Sequence, residues 1–251
     1  MEEYSISKEY AVTFRSDSKG SQPKYHKDGY WYKVDTMGKE GLVEKICSII
    51  LSCSNVTNYV EYEECIINGR QGCRSRDFLK QGEAFVTFQK IFQYSNGGSL
   101  ADRIMGLETP ERRYEYLLEL IRENCKLDCT HYLQNNFALD MLIMNPDRHF
   151  HNLGVILRED GSYDEAPIFD NGQGLFQNRN IFPPYLTITE KEERACGATI
   201  SGSFEKQFIV AGKHFLLDYE KLFDLLACYE SLEIYNVLKN QLQKYRKLLE
   251  K

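Results

Sequence analysis

The sequence contains no apolar run near the roughly 18 residues that a membrane-spanning helix requires, so no membrane association is predicted. The amino terminus opens with two acids and has no apolar core of a signal peptide, and we expect no secretion signal. Lys and Arg number 31 against 37 Asp and Glu, which gives a formal net charge of −6. Because this charge lacks the basic excess typical of nucleic-acid-binding proteins, no direct nucleic-acid partner is predicted.

The cysteines show no C-x₂-C pair, and no nearby set of His and Cys completes a zinc site. Without a secretion signal we expect reduced, mostly structural thiols and a cytoplasmic protein. The chain has 251 residues, of which 42% are hydrophobic and 27% charged, an ordinary globular balance. This length suits one large domain or two lobes that share a cleft.

A hairpin followed by a helix is predicted near the amino terminus. Lys24–His26 and Tyr30–Val34 flank the turn signal Asp28-Gly29, which is typical of a β-hairpin. Apolar residues then recur at helical spacing over Glu40–Leu51.

Lys33 lies on the second strand of that hairpin. Taken alone, it fits a surface lysine as well as a phosphate ligand. Glu44 on the following helix permits the ion pair that fixes a nucleotide-binding lysine. Asp35 and Glu40 are alternative partners for Lys33.

The composition changes from strand-like to helical near the middle of the chain. Ala84–Phe88 is predicted to be an apolar strand, and Gln93–Ser99, with Asn-Gly-Gly, marks the best boundary between lobes. We therefore predict a β-rich lobe over residues 1–93 and a helical lobe over residues 94–251. Helices of the second lobe are predicted over Glu111–Glu123, Thr130–Met144, Asp218–Cys228 and Leu232–Glu250.

Two polar stretches carry the chemistry of the chain. Asn145–Asn152 follows a predicted buried helix that Pro146 prevents from continuing, and Pro167–Gly172 follows an apolar run. Each stretch alone is common turn chemistry. Together they present Asp147, Asn152 and Asp170, and two carboxylates with one amide oxygen form the ligand set that Mg²⁺ prefers when it carries a nucleotide phosphate.

A hairpin and a long irregular segment are predicted between and after these stretches. Val155–Leu157 and Ala166–Phe169 are expected to pair as a hairpin. Residues 171–205 are rich in Gly, Asn, Pro and Ser, and a long irregular segment beside a site is typical of a lid or a substrate platform.

These motifs resemble the HipA-like serine/threonine kinases and, more distantly, the phosphoinositide kinases, which share an Asp-Arg-His-x-x-Asn loop. The resemblance spans residues 16 to 235 and is strongest over Asn145–Asn152 and Pro167–Asp170. Gly20-Ser21-Gln22-Pro23-Lys24 is similar to the phosphate-loop signature of that family. The resemblance implies an α+β, two-lobed protein-kinase-like fold, with a β-rich N-lobe, a mostly helical C-lobe, and ATP and Mg²⁺ as cofactors.

The resemblance also implies a role for each matching residue. Asp147 would be the catalytic base, Asn152 and Asp170 would bind Mg²⁺, and His149 would brace the catalytic loop. Lys33, paired with Glu44, would hold the α- and β-phosphates. The phosphate loop formed by Gly20, Ser21 and Gln22 would cover these phosphates, and the adenine would lie against a linker around Gln89–Phe92.

The same resemblance suggests partners for the protein and alternative functions. The chain resembles a short, stand-alone form that lacks the family's amino-terminal subdomain, so a protein that supplies this part, or an antitoxin-like partner, is an expected possibility. The expected substrate is a Ser or Thr hydroxyl of a protein, with a toxin-like role and autophosphorylation at Ser16, Ser18 or Ser21 as further hypotheses. Alternatives are a lipid or small-molecule kinase, a nucleotide-binding pseudokinase that acts as an interaction module, and a metal-dependent phosphoesterase that uses His149 and His151.

Overall fold

The computed structural model describes residues 1–12 and 22–251. Within these residues eight strands form two sheets, one of five strands and one of three. The strands are β1 (Glu2–Tyr4), β2 (Lys24–Lys27), β3 (Tyr30–Val34), β4 (Tyr62–Ile67), β5 (Arg70–Arg76), β6 (Ala84–Thr87), β7 (Gly154–Leu157) and β8 (Tyr163–Glu165).

Helices dominate the second half of the chain. The described residues contain α1 (Glu40–Ser52), α2 (Phe88–Ser95), α3 (Leu100–Met105), α4 (Pro110–Cys125), α5 (Thr130–Ile143), α6 (Ile188–Arg194), α7 (Phe204–Ala211), α8 (Tyr219–Leu226) and α9 (Glu233–Leu249). Among these residues no helix is long and apolar enough to cross a membrane.

The five-stranded sheet has the order β1-β4-β5-β3-β2 and contains two hairpins, one of β2 and β3 and one of β4 and β5. Asp28 and Gly29 have φ values of 51° and 75°, and Asn68 and Gly69 have the same pair of values. Positive φ at both central positions is the turn geometry that matches the right-handed twist of the strands. The predicted hairpin of β2 and β3 is therefore confirmed.

Helix α1 packs against β4 and β5 at unusually short range. A Cβ added at Gly41 would lie 2.6 Å from the Gly72 carbonyl carbon, so only glycine permits this approach. Val43, Ile46 and Ile50 of α1 are fully buried in the main core, as the helical spacing of the sequence predicts. The approach brings the buried Glu44 to the end of β3.

The second sheet joins chain segments that are far apart in sequence. β6 pairs antiparallel with β7, and β7 pairs antiparallel with β8. The predicted partner of β7, Ala166–Phe169, is wrong. A tight turn in which Arg158 N–H donates to Ser162 O at 2.9 Å closes the hairpin earlier, and Ile168 instead bridges to Tyr59.

The helical predictions are largely confirmed, with differences at the ends. α5 is buried along most of its length and ends at Ile143, because Met144 adopts a left-handed φ of 50° before Pro146 is reached. The predicted adenine linker over Gln89–Phe92 is not a linker, since these residues lie in α2, whose amino terminus is capped by the Thr87 hydroxyl. The irregular region predicted over 171–205 contains α6 and the start of α7.

The division at residue 93 stays a prediction. Residue 93 lies within α2, and β6, which precedes it, pairs with β7 from the later part of the chain.

Candidate active site

The loop that follows α5 is folded by its own hydrogen bonds. Asp147 N–H donates to Asn145 Oδ1 at 3.1 Å, and His149 N–H donates to the Asp147 carbonyl at 2.9 Å. Asn152 Nδ2 donates to the same carbonyl at 3.0 Å. These bonds leave the Asp147 side chain 52% exposed while Asn152 is buried, so the loop presents a carboxylate from a rigid mount.

The buried Arg148 side chain holds this loop in place through hydrogen bonds. It is fully buried, and Nε and Nη2 each donate to the Asp140 carboxylate at 3.1 Å. The remaining donors reach the next loop: Nη1 binds the Phe169 carbonyl at 2.7 Å and Nη2 binds Asn171 Oδ1 at 2.5 Å. A planar guanidinium with five donors can make all these bonds at once, which an ammonium cannot.

Asp170 lies next to Lys33. Lys33 Nζ is 2.7 Å from Asp170 Oδ1 and 2.8 Å from Glu44 Oε1, and it also donates to the Tyr62 hydroxyl at 3.2 Å. Asp170 has a left-handed φ of 60°, a conformation that aspartate tolerates better than most residues. Asn171 N–H donates to Glu44 Oε2 at 2.9 Å, so Glu44 holds both the lysine and the backbone that carries Asp170.

These ion pairs set the charge of the lysine and the aspartate. Burial acts to lower the pKa of Lys33, but Asp170 and Glu44 outweigh it and hold the pKa well above its ordinary value. Burial acts to raise the pKa of Asp170, but Lys33 and then Lys24 hold it below its ordinary value. Both groups are therefore charged at neutral pH.

Asp147 is shifted in the opposite direction. Although the Asp147 side chain is 52% exposed, surrounding protein atoms partly desolvate its carboxyl group and raise its pKa, with a further contribution from the negative charge of Asp170. His149, Arg148 and Lys24 partly oppose this rise. His149 Nε2 lies 3.9 Å from Asp147 Oδ1. A carboxylate with a raised pKa is a better proton acceptor than an ordinary aspartate.

The donor set fits a hard divalent cation. Asp170 is ionised, and because the Asn152 nitrogen donates to the Asp147 carbonyl, the amide oxygen is the atom that can act as a ligand. Carboxylate and amide oxygens are ligands that Mg²⁺ accepts. Within residues 1–12 and 22–251 no three His, Cys, Asp or Glu side chains cluster to hold a metal, so such an ion would depend on the amide and on a phosphate ligand.

The structure shows which of the three acids suggested by the sequence forms an ion pair with Lys33. Asp35 Oδ1 accepts from Gly41 N–H at 2.8 Å, and Glu40 accepts from the backbone N–H groups of Met37 and Gly38. Only Glu44 of the three reaches Lys33, because Asp35 and Glu40 are used to shape the turn that precedes α1.

Two residues of the predicted phosphate loop, Gly20 and Ser21, lie outside the described residues, as do Ser16 and Ser18. Gln22 is described and is half-buried. It is followed by Pro23, whose carbonyl accepts from Val34 N–H at 3.0 Å, so it lies near the end of β3.

Sequence reasoning assigned no role to several residues of the site. Lys24 is the direct cross-strand partner of Lys33 and therefore lies on the same face of the sheet. Asp140, Arg148 and Asn171 form the hydrogen-bonded link between the two loops. Asp140 could have been found as an acid within a helix that is otherwise buried and mostly apolar, whereas nothing local marks Asn171.

Comparison with known proteins identifies the fold. The Helicobacter pylori proinflammatory kinase CtkA is similar in structure over 97% of this chain and 94% of that chain, with a TM-score of 0.63 and 14% sequence identity. The HipA, HipB and operator DNA complex of a Shewanella oneidensis toxin–antitoxin system matches over 91% of this chain and 59% of that chain, with a TM-score of 0.49 and 12% identity. No protein-family model and no curated protein sequence matches the chain. The expected α+β, two-lobed kinase-like fold is thus confirmed.

Proposed function

We propose that the protein is a Mg²⁺-dependent kinase of the HipA-like type that transfers the γ-phosphoryl group of ATP to a Ser or Thr hydroxyl of a protein. The observation that carries the proposal is the shared ammonium of Lys33, which lies within 2.8 Å of both Glu44 and Asp170. A lysine held by a helix acid, beside an acid that can bind metal, is the arrangement that kinases use to position nucleotide phosphates.

Each side chain has a distinct task in the proposed reaction. Lys33 exchanges Asp170 for phosphate oxygens when nucleotide binds, while Glu44 keeps the ammonium in place. Asp147 orients the substrate hydroxyl and accepts its proton as the new oxygen–phosphorus bond forms and the bond to the β-phosphate oxygen breaks. Asn152 and Asp170 would hold Mg²⁺, which supplies positive charge to the phosphates. Positioning and charge, rather than covalent chemistry, lower the barrier.

Transfer of label from γ-³²P-ATP tests the proposal, with purified protein, a mixed protein substrate such as casein, and Mg²⁺. We expect labelled phosphoserine or phosphothreonine, loss of transfer on chelation, and recovery when Mg²⁺ is restored. Asp147→Asn should reduce turnover by about 10²–10⁴-fold, the range for a lost catalytic acid or base. Asp170→Asn should reduce it by at least about 10²-fold, because a carboxylate proposed to hold Mg²⁺ is lost. Asp224→Asn, at an exposed position of α8, is the matched control and should keep full activity.

The alternatives predict other results. A lipid or small-molecule kinase would label a phosphoinositide or metabolite but not protein. A pseudokinase would bind nucleotide without Asp147-dependent turnover, and a phosphoesterase would hydrolyse p-nitrophenyl phosphate without ATP. Any of these results, with no labelled protein, would contradict the proposal. An antitoxin-like or subdomain-supplying partner, a toxin role and autophosphorylation stay predictions.

A further inference from the structure

A cavity lies away from Lys33 and Asp147. It has a volume of about 220 Å³ and is lined by Lys39 just before α1, by the chain that follows Asn171, by α6 and by the start of α9. Its base is apolar, because Phe176, Phe182 and Val237 are all buried. None of the residues proposed for phosphoryl transfer lines this cavity.

The rim of the cavity is positively charged. Lys39, Arg179 and Lys191 line it, and among the described residues Glu233 is the one acid that does so. This excess of cations stands out in a chain whose formal net charge is −6. The local charge therefore favours an anionic ligand.

Lys191 shows that this charge is poorly compensated. Its side chain is 11% exposed, and its ammonium lies 3.7 Å from Glu233 Oε1. That separation exceeds the roughly 2.7–3.2 Å of a hydrogen bond, and the Glu233 side chain is 75% exposed. Within the described residues Lys191 Nζ donates no hydrogen bond, and it is not among the buried polar atoms without a partner, so the ammonium is open to solvent at the rim beside a carboxylate that is also solvated. An anion inside the cavity would give this ammonium a charge-assisted hydrogen bond that no protein group supplies.

We propose that this cavity binds a small, free organic anion that has a carboxylate or phosphate head and an apolar body. The head would bind Lys191 and Arg179 at the rim, and the body would pack on Phe182 and Val237. The cavity is smaller than the roughly 300–1,000 Å³ of typical ligand pockets, which selects a compact molecule over a lipid with long chains.

The cavity is placed to influence the active site. Its wall residue Gln177 accepts a hydrogen bond of 2.9 Å from Lys39 N–H, the residue that precedes α1. Helix α1 carries Glu44, and the wall chain begins just after Asp170. A bound anion would hold these two elements together, so the site is a candidate for regulation by a metabolite. Binding itself does not depend on kinase activity.

Isothermal titration with phenyl phosphate tests the proposal on the full chain. We expect saturable binding near or below about 1 mM that excess MgATP does not displace. Arg179→Gln combined with Lys191→Gln should weaken it at least about tenfold through the loss of charge-assisted hydrogen bonds. Arg122→Gln combined with Lys247→Gln removes the same charge at exposed positions and should change the affinity less than about twofold.

A substitution that is expected to tighten binding distinguishes a specific effect from misfolding, because a misfolded protein would bind more weakly. Glu233→Gln removes the competing carboxylate and should tighten binding by about threefold, whereas Glu220→Gln, in the first turn of α8, should not. Phenol and inorganic phosphate should each bind at least about tenfold more weakly than phenyl phosphate, because each lacks one half of the ligand. Absence of saturable binding by the wild type, displacement by MgATP, or equal affinity of inorganic phosphate would overturn the proposal.

Discussion

Arg148 donates a hydrogen bond of 2.5 Å to the side-chain oxygen of Asn171, and this bond joins the loop of Asp147 to the loop of Asp170. The Asn171 backbone N–H in turn donates to Glu44 Oε2. Asn171, which is buried, therefore connects α1, the loop of Asp147 and the loop of Asp170. The geometry of the candidate site depends on polar bonds as well as on core packing.

Asn171→Leu should destabilise the protein. The substitution leaves a donor of the buried Arg148 guanidinium without its acceptor, and an unsatisfied buried polar group costs about 1–3 kcal/mol. Urea denaturation should show a decrease of that size in the free energy of unfolding. Asn236→Leu, at an exposed position of α9, is the control. Equal stability of Asn171→Leu and wild type would show that this bond contributes nothing.

The buried pair of Asp140 and Arg148 should separate stability from activity. Arg148→Met leaves the Asp140 carboxylate buried without its partner, and breaking such a pair costs about 3–5 kcal/mol. Adding Asp140→Leu removes the stranded charge and should recover most of the free energy of unfolding. Turnover should not recover, because Phe169 and Asn171 still lack the Arg148 donors. A double variant that regains both properties would contradict this role.

Glu44→Gln should raise the KM for ATP and lower kcat. The substituted amide can still accept a hydrogen bond but no longer holds Lys33 by charge, and loss of one preorganised electrostatic contact costs about 10²–10³-fold in kcat. Steady-state kinetics measure both constants. Asp35→Asn is the discriminating control, since Asp35 binds Gly41 N–H and not Lys33. If Asp35→Asn were the more damaging change to kcat, the assignment of Glu44 would be wrong.

The pH profile of kcat/KM should report Asp147. The base acts only when ionised, so activity falls as pH falls through its pKa. Partial desolvation of the carboxyl group places that pKa above the ordinary aspartate value of about 3.9. Asp170 stays ionised through this range because Lys33 lowers its pKa. Lys24→Gln removes a charge that lowers the pKa of Asp147 and should move the acidic limb to higher pH.

Lys27→Gln, at the other end of β2, is the matched control for this shift. It should leave the acidic limb where the wild type has it. A limb that moves to lower pH in Lys24→Gln would show that Asp147 is not the titrating group.

Local signals predicted those parts of the fold that local chemistry determines. Asp28-Gly29 specifies its own turn, and the apolar spacing of α1 specifies which face is buried. Local signals could not show that β8, rather than Ala166–Phe169, pairs with β7. This pairing depends on the tight turn between Arg158 and Ser162 and on the bridge between Ile168 and Tyr59. The short helices α3, α6 and α7 lie among turn-forming residues that hide their periodicity.

In the candidate site, too, some residues could be predicted from local sequence and others depend on long-range contacts. Asp147, Asn152 and Asp170 are visible in sequence because their types and spacing are unusual together. The choice of Glu44 over Asp35 and Glu40 depends on how closely Gly41 approaches Gly72, which is a long-range contact. The cross-strand placement of Lys24 beside Lys33 required the register of β2 and β3.

The pairing of β6 with β7 bears on how the chain can be cut. A fragment that ended near residue 98 would contain β6 with its edge hydrogen bonds unmet, and the complementary fragment would contain β7 with the same defect. The two pieces would tend to reassemble when co-expressed and to aggregate when expressed apart. A proteolytic nick between α2 and α3 should therefore leave a noncovalent complex that co-purifies, rather than two separable proteins.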